Sequence, residues 1–257
     1  MSYTIAFAGK GGTGKTTLAA LTIRYLIEKK AKPVLAVDAD SNACLNESLG
    51  VSVHATIGDL REQSLEAIRG KGARPGGMSS EQLFDYQVQQ SIIEADSFDL
   101  LVMGRPEGPG CYCAANNIIR KYTDKLSDDY SYVVLDNEAG MEHLSRRTTH
   151  KVDLLLMVSD PTKKGIQTIK RINALADDLK LEAGKRVIIV NRVSDQDFET
   201  VKNLISEIGM PVENIFNIPD DENIFKFDLG GKPVFDLPAD SKSIAALFKI
   251  LDSLNIP

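Results

Sequence analysis

Short runs of consecutive apolar residues alternate with longer amphipathic stretches from one end of the chain to the other. Most of the short runs are apolar at every position, which is typical of strands buried on both faces of a parallel sheet. The predicted strands are Tyr3–Ala8, Pro33–Asp38, Phe98–Met103, Tyr130–Asp136, Val152–Val158, Arg186–Asn191 and Val212–Ile218. The predicted helices are Thr16–Lys29, Ile57–Ile68, Ser80–Glu94, Ala114–Lys125, Gly165–Leu179, Asp197–Ile208 and Ser241–Leu254.

This alternation predicts an α/β fold with a doubly wound, mostly parallel sheet and right-handed crossovers. The segment Gly70–Met78 holds four glycines and a proline, which predicts a loop. A domain boundary there is the alternative, but the pieces on either side are too short to close a sheet alone. We therefore expect a single domain over residues 1–257.

The composition is that of an ordinary globular protein, with 43% hydrophobic and 26% charged residues. Acidic residues outnumber basic ones by 36 to 30, and this net charge of −6 argues against a general nucleic-acid binder. No apolar run approaches the roughly 18 residues that a membrane helix needs. The amino terminus has no secretory signal pattern. We expect a cytoplasmic protein with neither nucleic acid nor membrane as partner.

A glycine-rich segment directly follows the first predicted strand and precedes the first predicted helix. It matches G-x-x-x-x-G-K-[ST], the loop whose backbone N–H groups converge on nucleotide phosphates. In this context Lys15 is expected between the β- and γ-phosphates of ATP, and the Thr16 hydroxyl is expected to ligate Mg²⁺. A glycine-rich turn without a ligand is the alternative. The residues expected to contact the nucleotide are Gly11, Gly12, Thr13, Gly14, Lys15, Thr16 and Thr17.

Carboxylates stand at the ends of two further predicted strands. Asp38 and Asp40 end the second strand, and Asp136 ends the fourth after an apolar run. Because ligands bind at the carboxyl ends of such strands, Asp38 and Asp40 can orient an attacking water or contact metal-bound waters. Asp136 fits the Walker B pattern that holds Mg²⁺ through water. Gly140, shortly after it, offers the backbone freedom that a γ-phosphate sensor needs.

Cys111 and Cys113 are separated by one residue, just before a predicted helix. The helix dipole favours the thiolate there, and thiolates select Ni²⁺, Zn²⁺ or Cu⁺. One pair supplies two of the four ligands of a four-coordinate metal, so a symmetric dimer with two facing pairs would supply four sulfurs. Inert core residues or a redox dithiol are the alternatives. Cys44 is expected to be a small buried hydrophobe.

The additional lysine in Gly9-Lys10-Gly11-Gly12 resembles the deviant Walker A group of ATPases, which includes nitrogenase iron protein, the arsenite-pump ATPase, MinD and ParA. The resemblance implies that Lys10 reaches across a nucleotide-sandwiched homodimer to the partner's phosphates; a solvated lysine is the alternative. It also implies that Asp40, supported by Asp38, positions the attacking water. Many members carry proline after that aspartate, where this chain has Ser41.

The same resemblance extends to the base. Asn191-Arg192 is similar to the adenine-recognising asparagine of the group, and Pro219 to its loop against the base. A cap at a strand end is the alternative for Asn191.

Together with Gly-Pro-Gly-Cys-Tyr-Cys and Asp-Asn-Glu-Ala-Gly-Met-Glu-His, these motifs resemble the CooC-type nickel-maturation ATPases and the related AcsF type. The resemblance implies an ATP-hydrolysing dimer that binds Ni²⁺ through Cys111 and Cys113 of both chains, with Zn²⁺ as a possible occupant. Its client would be carbon monoxide dehydrogenase or acetyl-CoA synthase.

Three other functions of this group are less consistent with the chain. An electron donor like nitrogenase iron protein needs cysteines far apart in sequence to hold a [4Fe–4S] cluster between two chains. A ParA-like DNA partitioner needs a basic surface. A MinD-like membrane switch needs a basic amphipathic tail. Ile244–Leu254 has only Lys249 as a base, and predicts a packed terminal helix.

Overall fold

The computed structural model describes residues 2–69, 79–105, 111–138, 151–210 and 213–257. Within these ranges the strands are β1 (Tyr3–Gly9), β2 (Val34–Ala39), β3 (Ile93–Glu94), β4 (Asp99–Val102), β5 (Tyr132–Asn137), β6 (Lys151–Ser159), β7 (Glu182–Asn191) and β8 (Ile215–Ile218). The α-helices are α1 (Lys15–Tyr25), α2 (Leu45–Leu49), α3 (Ile57–Arg69), α4 (Ser80–Ser91), α5 (Cys111–Leu126), α6 (Lys163–Asp178), α7 (Asp195–Glu207), α8 (Glu222–Leu229) and α9 (Lys242–Ser253). A π-helical turn, Leu26–Lys30, continues α1.

The strands form one sheet in the order β3-β4-β2-β5-β1-β6-β7-β8, with only β3 antiparallel to its neighbour among these strands. The chain runs from β1 to β2 and β4 on one side, returns to insert β5 beside β1, and then builds the other side. Such a reversal opens a crevice at the carboxyl ends of the central strands. In register, Asp38 of β2 lies opposite both Asp136 of β5 and Val102 of β4. The prediction of a doubly wound, mostly parallel sheet is confirmed.

Helices cover both faces of the sheet. Ile5 and Phe7 of β1 belong to the core that also contains Leu18 of α1 and Leu247 of α9, whereas Ala6 faces the core beneath α3 to α7. Because alternate residues of a strand point to opposite faces, burial on both sides requires the continuous apolar runs seen in the sequence. The prediction of a packed terminal helix is confirmed. Within the described ranges, none of the helices is both long and apolar enough to cross a bilayer.

The structure corrects several predicted boundaries. The helix predicted over Ser80–Glu94 ends at Ser91, because the β-branched Ile92 and Ile93 favour extended backbone and a short antiparallel hairpin follows. α5 is already helical at Cys111, three residues before its predicted start. The strand predicted over Val212–Ile218 begins at Ile215 in the described residues. The predicted loop Gly70–Met78 lies outside the described residues.

Candidate nucleotide site

The phosphate loop leads into a helix whose first turn has no side-chain cap. Gly14 occupies the N-cap position of α1 with φ 91°, and there is neither a capping side chain nor an acidic residue in the first turn. By contrast, the hydroxyls of Thr162 and Ser194 cap α6 and α7. The first N–H groups of α1 are therefore available to an anion, and the helix dipole favours negative charge at the same place.

The Lys15 side chain folds back onto its own loop. The carbonyl oxygen of Lys10 accepts hydrogen bonds from the Thr13 hydroxyl at 2.8 Å and from Lys15 Nζ at 3.3 Å. Lys15 is only 6% exposed. Burial lowers its pKa below the ordinary value, and nearby carboxylates, Asp136 foremost, act in the opposite direction. The Lys10 side chain, by contrast, is exposed.

The Asn191 side chain connects the end of β7 to the phosphate loop by a hydrogen bond. Its Nδ2 donates to the Thr13 carbonyl oxygen at 2.9 Å, and its Oδ1 accepts from the Arg192 N–H at 3.0 Å. A Cβ at Gly14 would lie 2.4 Å from this Nδ2, so only glycine fits there. Arg192 itself has φ 59° and donates from Nη1 to the Gly12 carbonyl oxygen at 3.3 Å. Asn191 and Arg192 thus hold the phosphate loop, and their contact with adenine stays a prediction.

Thr16 and Asp136 come together beside this loop, as the sequence predicts for the two Mg²⁺-binding groups. Asp136 is 1% exposed, and its carboxylate is hydrogen bonded to the Thr16 hydroxyl. Its Oδ1 has no hydrogen-bond partner among the described groups. Burial, reinforced by the charges of Asp38 and Asp40, raises the pKa of Asp136 to about 7. A buried carboxylate oxygen without a partner next to a hydroxyl fits Mg²⁺, which prefers oxygen ligands.

Asp38 and Asp40 have different surroundings although they are two residues apart. Asp38 is fully buried; its Oδ1 accepts the Asp40 N–H at 3.0 Å and its Oδ2 accepts the Leu45 N–H at 2.9 Å. Burial raises the pKa of Asp38 to about 6. The Asp40 carboxylate is half-buried and accepts both N–H groups of Asn42, from its backbone and its side chain. Asp38 therefore shapes the loop that presents Asp40, and its supporting role in positioning water stays a prediction.

A contact between the loop after β2 and the residue after β5 was not predicted. The Ser41 hydroxyl donates to Glu138 Oε1 at 3.3 Å, and Nδ2 of the buried Asn137 donates to the Phe7 carbonyl oxygen at 2.8 Å. The serine that departs from the family pattern thus connects the loop after β2 to the end of β5. Gly140, the predicted γ-phosphate sensor, lies outside the described residues.

A cavity of about 560 Å³ extends from the phosphate loop along the carboxyl edge of the sheet. Its walls include Thr17, Asn191, Arg192, Pro219 and Phe225. This brings the three residues predicted to surround adenine to one space beside α1. A second cavity, of about 510 Å³, lies at the amino ends of β2 and β4 and shares no lining residue with the first.

Asp221 fixes the Pro219 loop. It is 8% exposed and accepts the Ser241 hydroxyl at 2.5 Å, the Ser243 N–H at 3.1 Å and the Asn223 N–H at 2.9 Å. The Ser243 hydroxyl donates to the Pro219 carbonyl oxygen at 3.0 Å. Burial alone would raise the pKa of Asp221, but these hydrogen bonds outweigh it and hold that pKa below its usual value. Asp221 stands before an apolar helical period, which is an N-cap signal that sequence reasoning overlooked.

The three cysteines do not lie in comparable places. Cys44 is exposed at the N-cap of α2, so the prediction of a buried hydrophobe is wrong: the loop shaped by Asp38 holds it outside the core. Cys111 and Cys113 occupy the first turn of α5, and their side chains lie outside the described part of the chain. The strand before them, β4, ends beside β2, where the Met103 N–H donates to the Asp38 carbonyl oxygen at 2.8 Å. The segment toward the cysteines therefore leaves the sheet at the edge that carries the phosphate loop.

Comparisons of sequence find relatives over most of the chain. The family described as the CobQ/CobB/MinD/ParA nucleotide binding domain matches residues 4–234. An uncharacterized ATP-binding protein of Methanocaldococcus jannaschii is 39% identical over 250 residues, which cover 97% of each chain. The carbon monoxide dehydrogenase accessory protein CooC of Rhodospirillum rubrum is 28% identical over 244 residues, covering 90% of this chain and 83% of that protein.

Solved structures agree on the fold. The cell division ATPase MinD of Pyrococcus furiosus superposes with a TM-score of 0.68 at 20% identity, covering 99% of this chain and 98% of that one. A ParA family ATPase from Chlorobium tepidum gives a TM-score of 0.71 at 20% identity, covering 99% of both chains.

Proposed function

This chain belongs to the CobQ/CobB/MinD/ParA nucleotide-binding family, and we propose that it is a Mg²⁺-dependent ATPase that works as a dimer in nickel delivery. The observation that supports nucleotide hydrolysis best is the pairing of the uncapped α1 with the Thr16–Asp136 contact. Together they offer N–H groups to phosphates and oxygen ligands to Mg²⁺ within one crevice.

In this proposal the residues divide the work of hydrolysis. The phosphate-loop N–H groups and Lys15 bind the phosphates, and Lys15 exchanges its bond to the Lys10 carbonyl for the γ-phosphate. Thr16 and Asp136 would hold Mg²⁺, which when bound would supply positive charge opposite the phosphoryl group. Asp40 orients the attacking water, and Asp38 holds the loop on which Asp40 stands.

The dimer is proposed from Lys10. Its side chain is exposed while its carbonyl stabilises the loop, so the ammonium group can serve a second protomer without disturbing its own site. We assign it to the partner's phosphates across a nucleotide-sandwiched homodimer.

Nickel is the proposed cargo, and Cys111 and Cys113 are its proposed ligands. Support comes from the similarity to CooC, whose name makes it an accessory protein of carbon monoxide dehydrogenase. The position of both residues in the first turn of α5 adds to it, because a helix N-terminus favours the thiolate form that binds metal. The client would be carbon monoxide dehydrogenase or acetyl-CoA synthase, and Zn²⁺ is the competing metal.

Anaerobic nickel titration tests this function. We expect one Ni²⁺ per two chains, and loss of binding in Cys111→Ser and in Cys113→Ser. The matched control is Cys44→Ser, which removes the exposed third thiol and should leave the stoichiometry unchanged. Nickel affinity should differ about five- to hundredfold between nucleotide-free protein and protein loaded with a non-hydrolysable ATP analogue, as in other allosteric pairs.

Each of the other outcomes points to a different function. Two metals per dimer, or one affinity whatever the nucleotide, would contradict a shared site coupled to ATP. Iron–sulfur absorbance in anaerobically purified protein would favour an electron donor. ATPase activity with no nickel binding would favour a MinD- or ParA-like switch, the class of the structural relatives.

A further inference from the structure

The outer wall of the 560 Å³ cavity carries an exposed aromatic ring. Within the described residues, Phe225 and Leu229 are two of three large apolar side chains that are exposed, at 67% and 78%, and both belong to α8. They lie one helical turn apart, but only Phe225 lines the cavity. The exposure of Phe225 by itself indicates no function, because single exposed apolar side chains are common on protein surfaces. Its position beside the cavity would bring the ring into contact with a molecule bound there.

Buried hydrogen bonds fix both ends of the segment that carries this ring. At its start, Asp221 caps α8 and accepts the Ser241 hydroxyl. Beyond its end, the buried Arg24 of α1 donates from Nη1 to the carbonyl oxygens of Val234 at 2.7 Å and Leu237 at 2.8 Å. The segment from Asp221 to Leu237 is thus tied to the phosphate-loop helix and to α9, so the backbone that carries Phe225 is held beside the cavity.

We propose that Phe225 is a base-binding residue, whose ring stacks on the purine of a bound nucleoside triphosphate. The cavity runs from Thr17, in the first turn of α1, to α8, so a nucleotide with its phosphates on the loop directs its base toward Phe225. A flat aromatic ring is the side chain that stacks on a base with little dependence on hydrogen bonding. This inference rests on the proposed function as an ATPase and adds a residue for nucleotide affinity.

Calorimetric titrations with Mg·ATP and with Mg·tripolyphosphate, which has no base, separate the two halves of the site. Phe225→Ala should weaken Mg·ATP binding about tenfold, because stacking on an aromatic side chain typically contributes five- to hundredfold. Tripolyphosphate binding should not change. Phe225→Tyr keeps a ring and should bind ATP as the unaltered chain does. Leu229→Ala, one turn along the same helix, is the matched control and should also leave ATP binding unchanged.

Several results would overturn the assignment. Equal ATP affinity in Phe225→Ala and the unaltered chain would do so, and so would an equal loss for tripolyphosphate, which would mean an effect through the phosphate loop. Equal losses in Phe225→Ala and Leu229→Ala would indicate a role of α8 other than stacking. If the unaltered chain bound tripolyphosphate but not ATP, the proposed function would fall together with this inference; failure of Phe225→Ala alone leaves that function intact.

Discussion

At the scale of single residues, Asp136 combines two opposing demands. The proposed magnesium binding requires the carboxylate form, but burial raises the pKa of Asp136 to about 7, with Asp38 and Asp40 adding to the shift. An unfolded aspartate has a pKa of about 3.9, so between these values the folded chain binds more protons than the unfolded one. The contribution of Asp136 to the free energy of unfolding therefore falls as the pH rises between these two pKa values.

Asp136→Asn removes this ionisation and should change how stability depends on pH. In Mg²⁺-free buffer between pH 5 and pH 8, we expect the variant to unfold at a higher temperature than the unaltered chain. The thermal midpoint should rise by at least about 2–4 °C, which corresponds to roughly 1 kcal/mol in a chain of this size. Mg·ATP should stabilise the unaltered chain more than the variant, because the metal needs the carboxylate.

Thermal unfolding followed by circular dichroism at several pH values measures this difference. Asp178→Asn, at an exposed position at the end of α6, is the control and should follow the curve of the unaltered chain. The Asp38 carboxyl also has a raised pKa, so the difference between the curves is informative and a single curve is not. Parallel curves for Asp136→Asn and the unaltered chain would contradict the role given to burial.

At the scale of elements, one buried carboxylate joins the starts of two helices. Asp221 caps α8 through the Asn223 N–H and binds the Ser241 hydroxyl and the Ser243 N–H at the start of α9. Its pKa is held below the usual value, so its stabilising contribution is present above about pH 4 and is lost as pH falls through the folded-state pKa.

Asp221→Asn should destabilise the fold near neutral pH by about 1.5–3 kcal/mol, the range for hydrogen bonds to a charged group. The neighbouring Asp220 is exposed, so Asp220→Asn is a control that changes the same charge one position away. Chemical denaturation at pH 7 compares the two, and the difference between them should shrink as the pH is lowered below 4. Equal midpoints at pH 7 would exclude a structural role for the buried carboxylate.

Well-buried elements were predicted well from the sequence, and short exposed ones were not. β1, β2 and β5 are apolar at nearly every position, which leaves no competing interpretation. α8 has only eight residues and none is fully buried; Ile224 and Phe227 are partly buried against the core, so its apolar period is too short to stand out in the sequence. β3 pairs over only two residues, and its existence depends on β4, a contact that no local pattern contains.

The site shows the same division. Lys15, Thr16 and Asp136 belong to motifs whose spacing reflects one chemistry, and the structure brings them together. Two contacts join residues far apart in sequence: the hydrogen bond from Asn191 to the Thr13 carbonyl oxygen, and the one from Ser41 to Glu138. Such contacts arise from the order of the strands, which a single sequence does not specify.

At the scale of the whole molecule, the loops that carry the proposed site residues leave the sheet at one edge. Register places Asp38 beside Asp136 and Val102, so the loop after β2, the end of β5 and the segment toward the cysteines leave from adjacent strands. In the proposed dimer, closure around ATP at this edge changes the distance between the cysteine pairs of the two protomers. ATP binding and metal binding would then each alter the affinity for the other.

Lys10→Ala tests the dimer separately from the nucleotide site. The backbone carbonyl that binds Thr13 and Lys15 is retained, so the variant should still bind ATP. It should lose hydrolysis, and its light-scattering mass with Mg²⁺ and an ATP analogue should stay near 28.1 kDa. Lys249→Ala, an exposed lysine on α9, is the control and should dimerise. A Lys10→Ala protein that dimerises normally would refute the cross-dimer role.

Gly14 and Asn191 restrict each other over evolutionary time. A side chain at position 14 would meet the Asn191 amide and would also need the left-handed backbone of φ 91°. Shortening Asn191 first would make room, but it would remove the donor to the buried Thr13 carbonyl. Each single substitution is unfavourable, so neither residue should change during evolution unless the other changes as well. Among descendants of this chain, the end of β7 should therefore diverge as slowly as the phosphate loop, although the two lie 178 positions apart.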